Sequence, residues 1–562
     1  MPVQPTYPGV YIEEIPSDVR TITGVPTAIT AFVGRALRGP VNKPVTIHSF
    51  GEFARIFGGL WQLSNLGYAV SDFFSNAPGG EAIIVRLFHP AATTADPNAS
   101  VPAKALLDVN GLKLEARDEG AWGDSLRARI DHDTGSPDTS LFNLTLAEVK
   151  LSADKTKVEE LGRVEVFRNV SVDRTAARRV DKVLESESAL VRATGTLPQS
   201  LPQSRPAPHA EPTPNEEDPT KRHALWGGEP NNMTSSGITQ AGSEGTHLVA
   251  NDFIGGDAES QRLGIYALES ADIFNLLSIP PFRSELPTER PMDIDPAILG
   301  KVIPYVEKRR AMLILDPPSE WSGKWKSGQK GDVKSAITFN TGIGDPSKNA
   351  AMFFPRLLQP DPMRDNIMDE FAPSGAVAGV FARTDAERGV WKAPAGTEAT
   401  LVGVPDLSVR LTDAEIGEIN PLGVNALRLL PAAGRVVWGA RTRRGADRLA
   451  DQWKYIPVRR LALFIEESVY RGTQWAVFEP NDEPLWASIR LNVGAFMHSL
   501  FRQGAFQGAQ PRDAYLVKCD RETTTQDDIN RGIVNVVVGF APLKPAEFVI
   551  IRIQQLAGQI QA

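Results

Sequence analysis

Two near-continuous apolar runs, Ile273-Phe-Asn-Leu-Leu-Ser-Ile279 and Ala311-Met-Leu-Ile-Leu-Asp316, constrain this chain most. An alternating strand can leave one face in water. Runs like these suit strands covered on both faces, as in a parallel sheet between helices. Between them, Asp295 to Arg309 carries Ile298, Val302, Tyr305 and Val306 at helical spacing, with Asp295-Pro296 as a start signal. A third strand at Ala350–Pro355 precedes a helix near Ser374–Arg388, with Val377, Val380 and Phe381 facing one way. An earlier block repeats this texture: strands at Ala28–Val33 and Ala82–Leu87, with helices at Phe50–Phe57 and Leu66–Phe74 between them. The pattern predicts a multidomain α/β and α+β chain. Its 562 residues suffice for roughly three or four domains at about 150 residues each.

The α/β alternation is interrupted. From about 95 to 195 the sequence breaks into short alternating strands, Leu106–Val109, Leu126–Ile130, Leu141–Leu146 and Val164–Phe167, followed by a helix expected over Thr175–Leu190. Residues 196–222 then hold seven prolines in 27 positions. Such a stretch cannot bury enough apolar surface to offset its ordering entropy, so a solvated spacer is expected there. The expected divisions are 1–20, 21–95, 96–195, 196–250, 251–405 and 406–562.

At the N-terminus, Pro5, Pro8 and Pro16 punctuate a short alternating segment in which Val10 and Ile12 share one face and Tyr11 and Glu13 the other. It reads either as an edge strand of the chain's own sheet or as an arm completing a neighbour's sheet. Near the other end, Asp482–Arg502 keeps apolar residues at i, i+3/i+4 spacing for five turns. Asp482 is placed to cap it, Pro484 lies in its first turn and Gly504 ends it. Strands at Asp513–Cys519, Ile533–Phe540 and Glu547–Gln554 are expected to follow, with a short helix from Thr525.

Catalytic signatures are missing from the sequence: there is no HExxH, P-loop, GxSxG elbow or paired CxxC. The seven histidines are scattered, with no two within four residues, which disfavours a local metal site. Thr341-Gly-Ile-Gly-Asp345 lacks the context of a phosphate loop, and Asp316-Pro-Pro318 reads as a turn after a strand. The single Cys519 reads as a small apolar residue in a strand. A net charge of −8 gives no footprint for nucleic acid. No run approaches the ~18 apolar residues of a membrane span, and no signal peptide is legible. No enzyme, cofactor or metal is expected. The alternative is an α/β enzyme with a C-terminal interaction domain.

The last 140 or so residues carry an ordered series: Asn420-Pro-Leu-Gly-Val-Asn-Ala-Leu-Arg428, Val437-Trp-Gly-Ala-Arg-Thr442, Trp453-Lys-Tyr-Ile-Pro-Val-Arg-Arg460, Gly472-Thr-Gln-Trp475, Phe478-Glu-Pro-Asn-Asp482, Arg502-Gln-Gly-Ala-Phe506, Cys519-Asp520 and Lys544-Pro-Ala-Glu-Phe548. The series resembles the C-terminal domain of contractile tail sheath proteins of phage tails, R-type bacteriocins and related injection particles. The resemblance implies a mixed-sheet core with an inserted β-rich outer domain and extended terminal arms. It makes Val10, Tyr11, Ile12 and Glu13 an inter-subunit strand. It also implies helical self-assembly from rings of six, an inner tube partner, baseplate and terminal cap proteins, and assembly in the bacterial cytoplasm.

Between Arg435 and Arg460 stand eight basic residues against two acidic ones. A charge run is most simply a solvated face. Because the resemblance puts this domain innermost, Arg443, Arg444 and Arg448, with Arg490 and Arg502 of the long helix, become candidates to face an acidic tube.

Overall fold

The computed structural model describes residues 20–552, apart from 94–99, 136–137, 152–157, 196, 198–204, 211–225, 227–230, 233, 283–292, 327 and 329–346. Its centre is an eight-stranded sheet in the spatial order Val45–Ile47, Ala82–Arg86, Thr30–Gly34, Leu276–Ser278, Met312–Leu315, Ala350–Phe354, Val424–Leu430, Gly434–Val437. The six inner strands run parallel, and the two outermost pair antiparallel. Alternation along each buried strand divides the core in two. Phe32, Ile84, Leu276, Met312 and Phe353 point to one side, under the helices Phe50–Phe57, Leu66–Asn76 and Ser374–Arg388. Val33, Ile83, Leu277, Leu313 and Ala350 point to the other, against the helix Leu299–Lys308 and the turn Gly264–Ser270. The last two strands lie beyond residue 405, so the expected division there falls inside the sheet.

The helix Ser374–Arg388 is more enclosed than its Val377/Val380/Phe381 stripe predicts: all of Ser374–Ala382 is buried. Small residues allow this. A Cβ on Gly375 would stand 2.1 Å from the carbonyl oxygen of Ala69, so the helix Leu66–Asn76 approaches backbone to backbone. Asp316 anchors its start, accepting the backbone N–H and the hydroxyl of Ser374, both at 2.8 Å. That accounts for Asp316 as a structural cap, although burial raises its pKa to about 6.

Facing that helix, Asp72 is buried and among the described residues accepts one bond, at 3.0 Å from the amide of Gln359, its second oxygen having no partner there. Burial raises its pKa to about 7, against the lowering effect of Gln359. The folded chain therefore holds a proton here that the unfolded chain releases near pH 4. This contribution is complete below pH 4 and is lost as pH rises through 7, worth up to about 4 kcal/mol. Asp72→Asn is expected to raise the melting temperature at pH 8 and leave it nearly unchanged at pH 4. An equal shift at both pH values in scanning calorimetry would place the ionisation elsewhere.

Between Arg86 and Leu276 the chain builds two antiparallel sheets. One has the order Asn231–Asn232, Ser235–Ser236, Leu126–Asp131, Phe142–Leu151, Val158–Val170, and the other Ile238–Gln240, Leu106–Val109, Leu112–Ala116, Val191–Ala193. Leu114, Ile130, Leu144 and Phe167 fill their shared core. The buried Arg86 guanidinium docks them to the central sheet, donating to the carbonyls of Ala36, Gly39 and Glu119 at 2.7–2.9 Å. Three expectations change here. The helix is only Val180–Glu187, because Asp173 accepts from Thr175 and closes a turn first. Asn231–Asn232, Ser235–Ser236 and Ile238–Gln240, within the expected spacer, are strands. Residues 205–210 are strapped to the sheet: the His209 N–H donates to the carbonyl of Ile130, the Ile130 N–H donates to Nδ1 of His209, and the Ala207 carbonyl accepts from Asn110.

The C-terminal part packs the helices Ile456–Gly472 and Glu483–Arg502 around Leu461, Ile465, Trp486, Val493 and Met497. Asp482 occupies the cap position, but its carboxylate accepts no helix N–H. Pro484, at the second helical position, removes one of the two donors a cap would take. Cys519 is buried just beyond the strand Tyr515–Lys518 rather than within it.

Candidate assembly interface

The hairpin Tyr515–Lys518/Val537–Phe540 pairs Tyr515 with Phe540 and Lys518 with Val537. Tyr515, Val517, Val538 and Phe540 pack on the long helix, while Leu516 and Val537 are exposed. Among the described residues no third strand joins it. Two-stranded ribbons are marginal alone, and free edges invite further strands.

The chain then leaves the hairpin. Pro542 bridges to Phe506, and Leu543–Arg552 forms no strand. The strand expected over Glu547–Gln554 is therefore unpaired as far as Arg552, and Gln554 lies outside the described residues. Phe548, Val549, Ile550 and Ile551 stand 74–82% exposed. Such a run of apolar side chains is unusual on a soluble surface and marks an interaction site.

One residue pins the root of this segment. Arg441, wholly buried, donates Nε and Nη2 to the Glu547 carboxylate at 2.7 and 2.6 Å. Its Nη1 reaches Asp447 at 3.0 Å and the carbonyls of Asn420 and Gly445. The Tyr455 hydroxyl adds a 3.3 Å bond to Glu547. The Arg441 backbone is held in turn by Asn425, which also donates to the carbonyl of Met352 in the central sheet. Desolvation opposes the Arg441 charge, but Glu547 and then Asp447 outweigh it and hold its pKa above the ordinary value. Burial and the Glu547 charge likewise raise the Tyr455 pKa. Gly445 is obligatory, because a Cβ there would meet the Arg441 Cβ at 2.7 Å. Asn425, Arg441, Tyr455 and Glu547 come from four separate segments of the C-terminal series, and the fold gathers them into one clamp.

The basic run is dispersed. Arg441, Arg443, Arg459 and Arg460 are buried. Arg459 donates to Asn349 and Glu466, and Arg460 pairs with Asp385 at 2.6 Å. These side chains tie the C-terminal part to the central sheet. Arg443 is 4% exposed and burial lowers its pKa to about 10, so the expectation that it faces a tube is corrected for this subunit. Arg444 is engaged with Asp451 at 2.8 Å, and Arg490 with Glu483 and the carbonyl of Cys519. Arg448 and Arg502 are exposed. Val10, Tyr11, Ile12, Glu13 and the Thr341–Asp345 turn lie outside the described residues. Among the described residues no His/Cys/Asp/Glu group could hold a metal, and no helix is long and apolar enough to cross a membrane.

Sequence reasoning missed Asn425, Tyr455 and Glu547 as partners. A carboxylate inside the apolar segment 543–551 was the available signal, since it calls for a buried cation.

Two family descriptions match in order along the chain: the phage tail sheath protein central domain over residues 301–443, and the phage tail sheath C-terminal domain over residues 450–555. A putative prophage major tail sheath protein of Pseudomonas aeruginosa strain UCBPP-PA14 is 26% identical over 306 residues, 53% of this chain and 70% of that protein. The tail sheath protein of Vibrio phage KVP40 is 25% identical over 180 residues, 32% of this chain. The match spans only 26% of that relative's length. The contracted helical sheath of the anti-feeding prophage superposes with a TM-score of 0.52 at 22% identity, covering 98% of this chain and 99% of that one. The sheath tail protein of Listeria innocua superposes at 0.54 with 13% identity, covering 93% and 96%. At these identities the structures show a shared fold.

Proposed function

The chain belongs to the contractile tail sheath family, and on that premise we propose that it polymerises helically around an inner tube and contracts to drive that tube through a target envelope. The observation that carries this reading is the hairpin, both of whose edges lack a further strand among the described residues, beside an exposed apolar segment rooted by Glu547. A neighbour's C-terminal segment completes one edge of the hairpin, and a neighbour's N-terminal segment, with Val10, Tyr11, Ile12 and Glu13, completes the other. Contacts of this kind join unlike surfaces and, unless the rotation closes, build an open helix. Rings of six subunits stack on the tube, between a baseplate and a terminal cap, in a phage tail or tail-like particle assembled in the bacterial cytoplasm. The two sheets between Arg86 and Leu276 form the outer layer, because they interrupt the core and dock on it through polar ties, Arg86 to Glu119 and Arg38 to Glu148 among them. Contraction releases energy stored in the assembled lattice, as in other strain-releasing switches, without nucleotide or cofactor. Sedimentation of purified subunits across a concentration series tests the reading. Pelletable polymer should accumulate only above a threshold; a constant monomer at every concentration contradicts it.

On the tube side, Arg448 and Arg502 are the exposed members of the basic set. Replacing both with Glu is expected to weaken co-sedimentation with purified tube severalfold at low salt and to change little at high salt, as for screened surface pairs. Equal binding at low salt would move these residues off the tube face.

A further inference from the structure

We propose that the loop carrying Phe478 is a plug that seats in an apolar groove on a neighbouring copy of this chain. The inference rests on the polymer reading above and concerns a contact distinct from strand exchange. Phe478 is fully exposed, at 102% of its reference area, and its backbone is left-handed at φ 70°. A bulky side chain in that region is strained, and strain persists where the surroundings impose it, often at functional sites. Val477 beside it is 62% exposed.

The loop beneath is held firmly. Arg20 lies over the Trp475 ring at 4.6 Å. The Asn481 side chain accepts from Trp486 and donates to the carbonyl of Ile533. The aromatic tip is thus presented in advance, with little ordering cost on contact.

The groove has a volume of about 820 Å³, with Trp391, Trp438, Ile416 and Leu543 among its apolar lining. On its rim Arg388 is paired with Glu398 and Asp413 with Arg428, whereas Lys392 and Lys544 form no ion pair among the described residues. The plug is flanked by Glu479 and Asp482, both exposed and likewise without an ion pair. Acidic flanks on an apolar tip therefore match a basic rim on an apolar groove.

Geometry selects a second copy as the occupant. The plug precedes the helix Glu483–Arg502, and Gln503 and Gly504, just after that helix, line the groove. Twenty helical residues span roughly 30 Å, so plug and groove sit at opposite ends and cannot meet within one subunit. Placed head to tail, they make the heterologous contact that an open helical polymer needs.

Phe478→Ser tests this, because a fully exposed side chain can be replaced without touching the core. The melting temperature should be unchanged, while the threshold concentration for polymer rises about tenfold or more. Glu479→Lys and Lys392→Glu should each raise the threshold, and the double variant should recover it. A Phe478→Ser threshold equal to the parent's, or no recovery in the double variant, overturns the proposal. Normal polymer that fails to bind purified tube also overturns it and assigns the loop to the tube. If the parent chain does not polymerise at all, the family-based reading fails first, so the two failures are distinguishable.

Discussion

Truncation after Glu547 is expected to yield a subunit that melts like the full chain but no longer forms cylinders. From Phe548 to Ile551 the side chains are 74–82% exposed, so their removal takes almost nothing from the subunit's own core. In the polymer the same residues would form a strand. About six paired residues make about three to six backbone bonds, each worth a net ~1 kcal/mol, before any apolar burial. Every subunit would lose that link at once, and a helical lattice has no other subunit to supply it. Calorimetry and electron microscopy of the truncated protein check both halves. Cylinders of normal length would remove the segment from the assembly account, and a large fall in melting temperature would make it part of the subunit fold.

Arg441→Ala should be the most damaging single substitution in the C-terminal part, costing about 3–5 kcal/mol and abolishing assembly. It leaves Glu547 and Asp447 with only the more exposed Lys454 as a shared cation and empties a wholly buried site. Glu547→Gln keeps the shape and leaves Arg441 its bond to Asp447, so it should cost only about 1–2 kcal/mol. The milder variant separates the two roles of the clamp. If pinning the root sets the direction of the arm, Glu547→Gln raises the polymerisation threshold well beyond what its stability loss accounts for. Urea unfolding read beside pelleting gives that comparison, and a threshold that simply tracks stability would reduce the clamp to a packing feature.

The α/β core was legible because its strands are buried on both faces and leave an unbroken apolar record, as at Met312–Leu315 and Ala350–Phe354. The helix Glu483–Arg502 was legible for the opposite reason, one apolar face and one wet one. The helix Ile456–Gly472 was not recognised, because Arg459 and Arg460 on its buried side look like surface residues until Asn349 and Asp385 are brought to them. The same limit hid the dispersal of the basic run between Arg435 and Arg460. Charge is read along a sequence, but burial and pairing are decided by segments a hundred residues away. The clamp is the sharpest case: Arg441 and Glu547 are 106 residues apart, and only the fold shows that they answer each other. The strand expected at Glu547–Gln554 shows the converse limit. Its apolar run is real, but a partner is a property of the sheet it meets, and within its own chain it meets none as far as Arg552.

The central claim is that this chain is a polymerising subunit, and negative-stain microscopy of the purified full-length protein tests it most directly. Hollow cylinders of uniform width and variable length are expected, formed without nucleotide, metal or any second protein. A field of separate monomers at every concentration tried, with turnover of a small substrate, would contradict it and favour the enzyme alternative.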